Sequence, residues 1–264
     1  MGSANQITSA TDTIRLNLAP MPLISIITAA HNARLDFLQE LWQSILTSAP
    51  ESWDFEWCLQ EDGEAHDLKD NLPDDPRIRY ATNNLYVGAA ATRNVALSRA
   101  TGEWFVNMDY DDFYTSSGLT LLTRLIEEFP KSTWIAGRAH DYDDDTQQAI
   151  EFPNYFPDGA IGAEQFMQVW DESGLLFPYV PGGAGMRKEL ALALGGYTAS
   201  PLAEDTSLFA AAAQLGSGAY TTEAVFHYRR WSGQTSAFPR ALGWNRFEHQ
   251  RIAAIRAVGL KIQH

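Results

Sequence analysis

The sequence predicts a doubly wound α/β fold built on a mostly parallel sheet. Two observations carry that expectation. The first half alternates short β-branched runs with helix-period runs across short connections. Polar clusters then recur where the strands end, at Thr28–Asn32, Gln60–Gly63 and Asp109–Asp112. Ligands of such sheets gather outside the carboxyl ends of the strands.

The elements follow in order. Leu23-Ile24-Ser25-Ile26-Ile27-Thr28 reads as a strand covered on both faces. Phe37, Leu38, Leu41, Trp42, Ile45 and Leu46 share one face at the 3.6 period, so a helix follows, ended by Pro50. Phe55 to Leu59 is a second strand, Pro73 to Pro76 a turn, and Ile78 to Ala81 a third strand. Gly88 opens an alanine-rich helix to Arg99, with Gly102 just beyond. Glu103 to Met108 is a fourth strand, and Ser117 to Phe129 a helix stopped by Pro130.

The second half is less regular. Asp141 to Asp145 reads as an acidic loop, Pro153 to Pro157 as an aromatic one, and Pro181-Gly182-Gly183-Ala184-Gly185 as a flexible loop before a helix from Arg187 to Leu194. Glu204-Asp205 begins another helix, ending near Gly216. Ala224 to Tyr228 reads as a strand, and a last helix is expected from Trp244 to Val258, with an apolar face that packs on the core or forms a homodimer contact.

Composition narrows the function classes. A formal charge of −14 repels nucleic acid and anionic membranes, so neither is an expected partner. A phosphate-bearing ligand would then need a local cation, either Arg/Lys or a metal. One cysteine, Cys58 in an apolar run, excludes an internal disulfide and reads as a buried thiol in a reducing compartment. No run reaches the ~20 apolar residues of a membrane span, and residues 1–20 carry no secretion signal. A cytoplasmic protein without integral membrane contact is expected.

Several side chains carry possible chemistry, each beside a plain alternative. Asp109-x-Asp111 at a strand end could share a hard cation such as Mg²⁺ or Mn²⁺ with substrate phosphates, or be a solvated acidic turn. Asp62 could accept a base imide or ribose hydroxyl, or form a turn before Gly63. Arg93 could clamp phosphate or hold Asp62, or lie on a helix surface. Glu204 and Asp205 could supply a general base, or merely complement a helix dipole. His227 could complete a metal shell, with Arg229, Arg230 and Trp231 closing over a diphosphate and a base or sugar, or be a half-buried histidine. Trp231, Tyr228, Phe177 and Tyr179 could line a sugar pocket or belong to the core.

Taken jointly, these pieces resemble the family 2 glycosyltransferases of GT-A fold. Ile24 to Asn32 resembles that family's first strand and nucleotide-facing loop. Glu61-Asp62-Gly63 resembles its acidic turn, and Asn84 to Asn94 its N-x-G…A-x-R-N stretch. Thr101 to Asp112 resembles its G-E-[YW]…D-x-D-D segment, Gly182-Gly183 to Tyr197 its acceptor-side loop and helix, and Glu204-Asp205 its E-D motif. The likeness spans roughly residues 22 to 232. It departs at Ala29-Ala30-His31, where Pro-Thr-Tyr or Pro-Ala-Tyr is usual, and at Gln60-Glu61-Asp62-Gly63-Glu64.

The resemblance implies a division of labour. Thr28 and Asp62 would bind the base, Arg93 that acid or the phosphates, and Asp109 the ribose. Ala30 and Tyr110 would line the nucleotide. Asp111 would hold a divalent metal, whose shell His227 could complete on the reading of the residues alone, and Asp205 would be the catalytic base. Gly182, Gly183, Glu204 and Trp231 would shape the acceptor pocket. It implies a flexible segment over 1–20 and one domain over 21–264, with a nucleotide-sugar half (21–132) and an acceptor half (133–264). The reaction would be inverting transfer from a nucleoside-diphosphate sugar, UDP favoured, to a small soluble acceptor or glycan. A non-catalytic sugar-binding protein and a nucleotidyltransferase are the rival readings. The second would bring a glycine-rich basic loop after the first strand, where this chain has Ala29 to Arg34.

Overall fold

A computed structural model describes residues 21–64, 68–151, 153–173, 177–199, 204–234, 252–254 and 256. The expected strands and helices of the first half are present. β1 (Leu23–Ala30), β2 (Asp54–Glu61), β3 (Ala81–Thr82) and β4 (Trp104–Asn107) lie parallel in the order β3-β2-β1-β4. α1 (Leu35–Ser48), α2 (Ala89–Arg99) and α3 (Gly118–Glu128) follow β1, β3 and β5 (Phe113–Tyr114).

α1 buries Phe37, Leu38, Leu41, Trp42 and Ile45, the i, i+4 stripe that its sequence shows. Leu46, expected on that stripe, is 37% exposed, because it lies past the edge of the face that meets the sheet. The third strand is shorter than expected and shifted. Ile78 makes one isolated bridge to Trp57, and regular pairing begins only at Ala81.

The second half extends the same sheet. β9 (Gly185–Arg187) is antiparallel to both β4 and β6 (Trp134–Asp143), and β6 runs parallel to β10 (Gly218–Arg230). β7 (Gln148–Glu151) edges β6, while β8 (Gly159–Ile161) and β5 edge β10. α4 (Ala163–Glu172), α5 (Lys188–Ala193) and α6 (Glu204–Leu215) complete the described elements.

Three expectations are corrected here. Asp141 to Asp143 ends a strand rather than forming a loop, and the turn comes after it. Arg230 on the neighbouring strand pairs with Asp141, so the acids are tolerated in the ladder. His227 lies inside β10 rather than at its end, since Tyr228 to Arg230 continue the pairing. The loop at Gly182 to Ala184 is buried and tied down, not flexible: Gly183 N–H donates to Asn107 O, and Asn107 N–H to Ala184 O. The expected N-terminal segment and most of the last helix lie outside the described residues, although 252–254 and 256 are helical.

Alternation along the strands sends neighbours to opposite faces. Ile26, Trp57, Trp104 and Val106 pack in one core under α1 and α3. Ile27, Cys58, Phe105 and Met186 pack in the other, against α4 and α6. Full burial of each large apolar side chain contributes about 1.5–3 kcal/mol. Two cores clamp the sheet, and its polar strand ends are left to form a site. No helix among the described residues is long and apolar enough to cross a membrane.

Candidate active site

The carboxyl ends of β1, β2 and β4 open side by side, because the three strands are parallel neighbours. Asp62, just past β2, is almost fully buried. Its carboxylate accepts N–H bonds from Val87 (2.8 Å), Gly88 (2.8 Å) and the Asn83 side chain (3.1 Å). It therefore fastens the start of α2, where Gly88 adopts φ 87, a left-handed conformation that glycine enters without strain. Thr28 is fully buried, and its hydroxyl accepts the Trp57 indole N–H at 2.9 Å. A buried indole needs a partner, and Thr28 supplies it. Ala30 is buried, and its carbonyl accepts the Asp62 N–H at 2.7 Å. The atoms expected to read a base are thus turned to internal bonds.

Arg93 points from α2 into the cleft, not onto the helix surface, and is buried. Its guanidinium pairs with Asp109 (2.5 Å) and, through its other arm, with Glu204 at the start of α6. Burial works against the cation, but the charges of Asp109, Asp205 and Tyr197 hold its pKa above the ordinary value. Arg93 is thereby a bridge between the D-x-D turn and the E-D motif. Burial pushes the Asp205 carboxyl upward despite Arg93, and Asp109 adds to the rise.

Burial, then the charge of Asp109, raises Asp111 to about 6. Its Oδ2 accepts the Trp231 indole N–H at 2.7 Å, and Trp231 meets Phe37 edge-on. Asp112, fully buried, is raised well above its usual range by burial and by Asp111. Its Oδ1 accepts the Arg229 backbone N–H, while its Oδ2 has no partner. Burial raises Tyr110, within this turn, to about 12.

These residues fit a divalent cation in a limited way. Such ions use one or two carboxylates together with substrate phosphates. The candidate oxygens are those of Asp111, whose Oδ2 holds Trp231, those of Asp109, whose Oδ1 holds Arg93, and the orphaned Asp112 Oδ2. His227 does not join them. It stacks on Phe113 at 4.6 Å and neighbours His140 and Tyr142. Burial, His140 and Arg229 lower it to about 4. Among the described residues, no group of three or more His, Cys, Asp or Glu side chains is placed to hold a metal.

On the acceptor side, Gly182 and Gly183 pack on Phe226, and Gly182 also faces Asp112 Oδ2. Tyr179 and Phe177 pack with Trp134, Phe166 and Trp170, so they belong to the core and not to a pocket. Tyr228 lies under Arg230 and accepts a bond from Gln234.

One participant escapes a reading of the sequence, and Arg229, expected to close over a diphosphate, is turned inward instead. Asn94 holds both the N–H and the carbonyl of Tyr197, tying α2 to the acceptor half, and only its place beside Arg93 hints at this. Arg229 is buried against Phe37 and Phe113, pairs with Glu40 and Asp144, and donates to the Asp111 carbonyl. A buried arginine is not legible from a basic strand end.

Comparison with known proteins agrees with this fold. The model for "Glycosyl transferase family 2" matches residues 25–192. A putative teichuronic acid biosynthesis glycosyltransferase of Bacillus subtilis, TuaG, is 33% identical over 95 residues, which is 34% of this chain and 36% of that protein. The Escherichia coli UDP-Glc:alpha-D-GlcNAc-diphosphoundecaprenol beta-1,3-glucosyltransferase WfgD is 29% identical over 99 residues, 38% of this chain and 39% of that one. These alignments reach less than half of either relative. The crystal structure of S. aureus TarS 1–349 in complex with UDP-GlcNAc superposes with a TM-score of 0.66 at 17% identity, covering 88% of this chain and 66% of that one. That likeness shows the fold, the GT-A-like architecture that the motifs implied.

Proposed function

Because the chain belongs to glycosyl transferase family 2, we propose that it moves a sugar from a nucleoside-diphosphate donor to an acceptor hydroxyl, with inversion at the anomeric carbon. One observation carries the reading: Arg93 joins Asp109 of the D-x-D turn to Glu204, the neighbour of Asp205. The donor end and the base end of one displacement are thereby fixed to each other, which is what orientation requires. A uridine donor is supported by the names of two relatives, TarS in complex with UDP-GlcNAc and the UDP-Glc transferase WfgD. A soluble acceptor or glycan, in a cytoplasmic setting, completes the reading.

Asp205 takes the acceptor proton as its oxygen attacks. Its raised pKa suits a base near neutral pH better than an ordinary carboxylate would. Asp111, beside Asp112, would hold Mn²⁺ or Mg²⁺, which when bound would neutralise charge on the diphosphate leaving group. Arg93 keeps Asp109 and Glu204 in place throughout.

The test is turnover of UDP-sugars by the wild type and by Asp205→Asn, with UDP titrated calorimetrically in the presence and absence of Mn²⁺. The variant is expected to bind UDP normally and to lose about 10²–10⁴ in kcat. The acid limb of kcat/KM in the wild type should lie above the ordinary aspartate value of about 3.9. Full turnover in the variant would sink the base assignment. No binding of UDP under either condition would remove the uridine donor, and no binding of TDP or GDP either would leave a non-catalytic protein.

A further inference from the structure

We propose that Trp231 is a positioning residue for the D-x-D turn: its indole holds one oxygen of Asp111, so that this carboxylate meets a divalent cation through its other oxygen alone, and the site thereby favours Mg²⁺ over Ca²⁺. The inference rests on the donor reading above, which leaves open what orients Asp111. The turn is held from the end of β10. Arg229 N–H donates to Asp112 Oδ1 at 2.9 Å, and Arg229 Nε donates to the Asp111 carbonyl at 2.7 Å. Trp231, the first residue past β10, completes the series by donating its indole N–H to Asp111 Oδ2 at 2.7 Å. The backbone and the carboxylate of Asp111 are thus pinned by residues two apart on one strand end.

The indole is itself fixed. Its ring meets Phe37 edge-on at 5.3 Å, and the Arg34 guanidinium lies over it at 5.8 Å. Trp231 N–H donates to Gln234 Oε1, Gln234 N–H returns to the Trp231 carbonyl, and the Gln234 amide donates to the Tyr228 hydroxyl. The chain wraps the ring so closely that a Cβ on Gly233 would lie 2.1 Å from it. An indole N–H only donates, so it cannot itself ligate a cation. While it holds Oδ2, Asp111 cannot turn to chelate with both oxygens. Beside it, Asp112 has one oxygen on Arg229 and one without a partner. Each of these two carboxylates then offers a single oxygen. Mg²⁺ keeps octahedral geometry and shares one or two carboxylates with substrate phosphates, which suits such a set. Ca²⁺ has more positions to fill and readily takes both oxygens of one carboxylate.

The experiment titrates UDP into the wild type and Trp231→Phe, with Mg²⁺, with Ca²⁺ and without metal. Phe keeps a ring against Phe37 and removes the donor. The variant should weaken UDP binding in Mg²⁺ by about 10–100-fold, the range for loss of a partner that orients a metal ligand. It should weaken binding in Ca²⁺ by less, so that the preference for Mg²⁺ shrinks, and leave metal-free binding unchanged. Unchanged affinity in Mg²⁺ would overturn the proposal. So would an equal loss with and without metal, which would mark Trp231 as a contact of the nucleotide, or an equal loss in both metals, which would remove the selectivity. A variant that fails to melt cooperatively would make Trp231 a prop of the strand end only, and overturn it equally. Absence of UDP binding by the wild type with either metal would instead remove the uridine donor reading itself.

Discussion

At the scale of single residues, Arg93 holds the most interactions together. A buried guanidinium is tolerated only when its charge is matched, and here it has Asp109 and Glu204 as direct partners and Asp205 close by. Removing the cation leaves three acids facing one another with no positive charge between them. Arg93→Met is therefore expected to lower stability by about 3 kcal/mol or more, because one partner of a buried pair is lost while the other stays. It should also abolish transfer. Urea unfolding measures the first effect and UDP-sugar turnover the second. A variant as stable as the wild type would show that the guanidinium does not bind the D-x-D turn to α6. Arg93→Lys keeps the charge but cannot reach two carboxylates as a fork, so it should fall between the two.

At the scale of elements, the strand ends are rigid because neighbouring backbones approach closely. Gly183 shows this. It has φ 85, and a Cβ added there would overlap the Phe226 ring. Gly182, beside it, would place a Cβ 3.5 Å from Asp112 Oδ2 and 3.8 Å from the same ring, which is ordinary contact. Gly183→Ala should thus cost about 1–3 kcal/mol, while Gly182→Ala should be nearly neutral. Thermal unfolding of the two variants side by side decides this, and equal melting temperatures would refute it. The same contrast explains what the sequence made legible. α1 and the strands of the first half announce themselves, because each buries a local periodic pattern. β9, with the sequence Gly-Met-Arg, shows no such pattern, because its pairing with β4 and β6 is set by distant partners. β6 was hidden by its acids, which Arg230 on β10 offsets. At the site, Asp109, Asp111, Glu204 and Asp205 could be picked out as acids at element ends. The pairing of Asp109 with Glu204 through a helix arginine could not, and nor could the diversion of Thr28 and Asp62 to internal bonds, since those depend on which side chains meet across the sheet.

At the scale of the whole molecule, the two ends of the sheet do different work. The carboxyl ends carry the cleft, while the amino ends are fastened by a polar knot around Glu56. That carboxylate accepts bonds from Ser25, from the Thr101 N–H and hydroxyl, and from Arg79, so it ties β1 and β2 to the corner before β4. Burial raises its pKa, but Arg79, Ser25 and Thr101 outweigh burial and hold it below the ordinary value of 4.5. The sign of the pH dependence follows. The folded carboxylate gives up its proton more readily than the unfolded one, so its stabilisation is complete above the unfolded value. It disappears as pH falls through the folded one. Glu56→Gln should therefore lower stability by about 1.5–3 kcal/mol at pH 7, the range for hydrogen bonds to a charged group. The gap should narrow steadily as pH drops below 4.5. UDP affinity should not change, because the knot lies at the opposite end of the strands from the cleft. Urea unfolding of both proteins across this pH range, with UDP titration at pH 7, tests both parts. A gap independent of pH would mean that Glu56 acts through shape and not through charge. A loss of UDP affinity would mean that the two ends of the sheet are coupled.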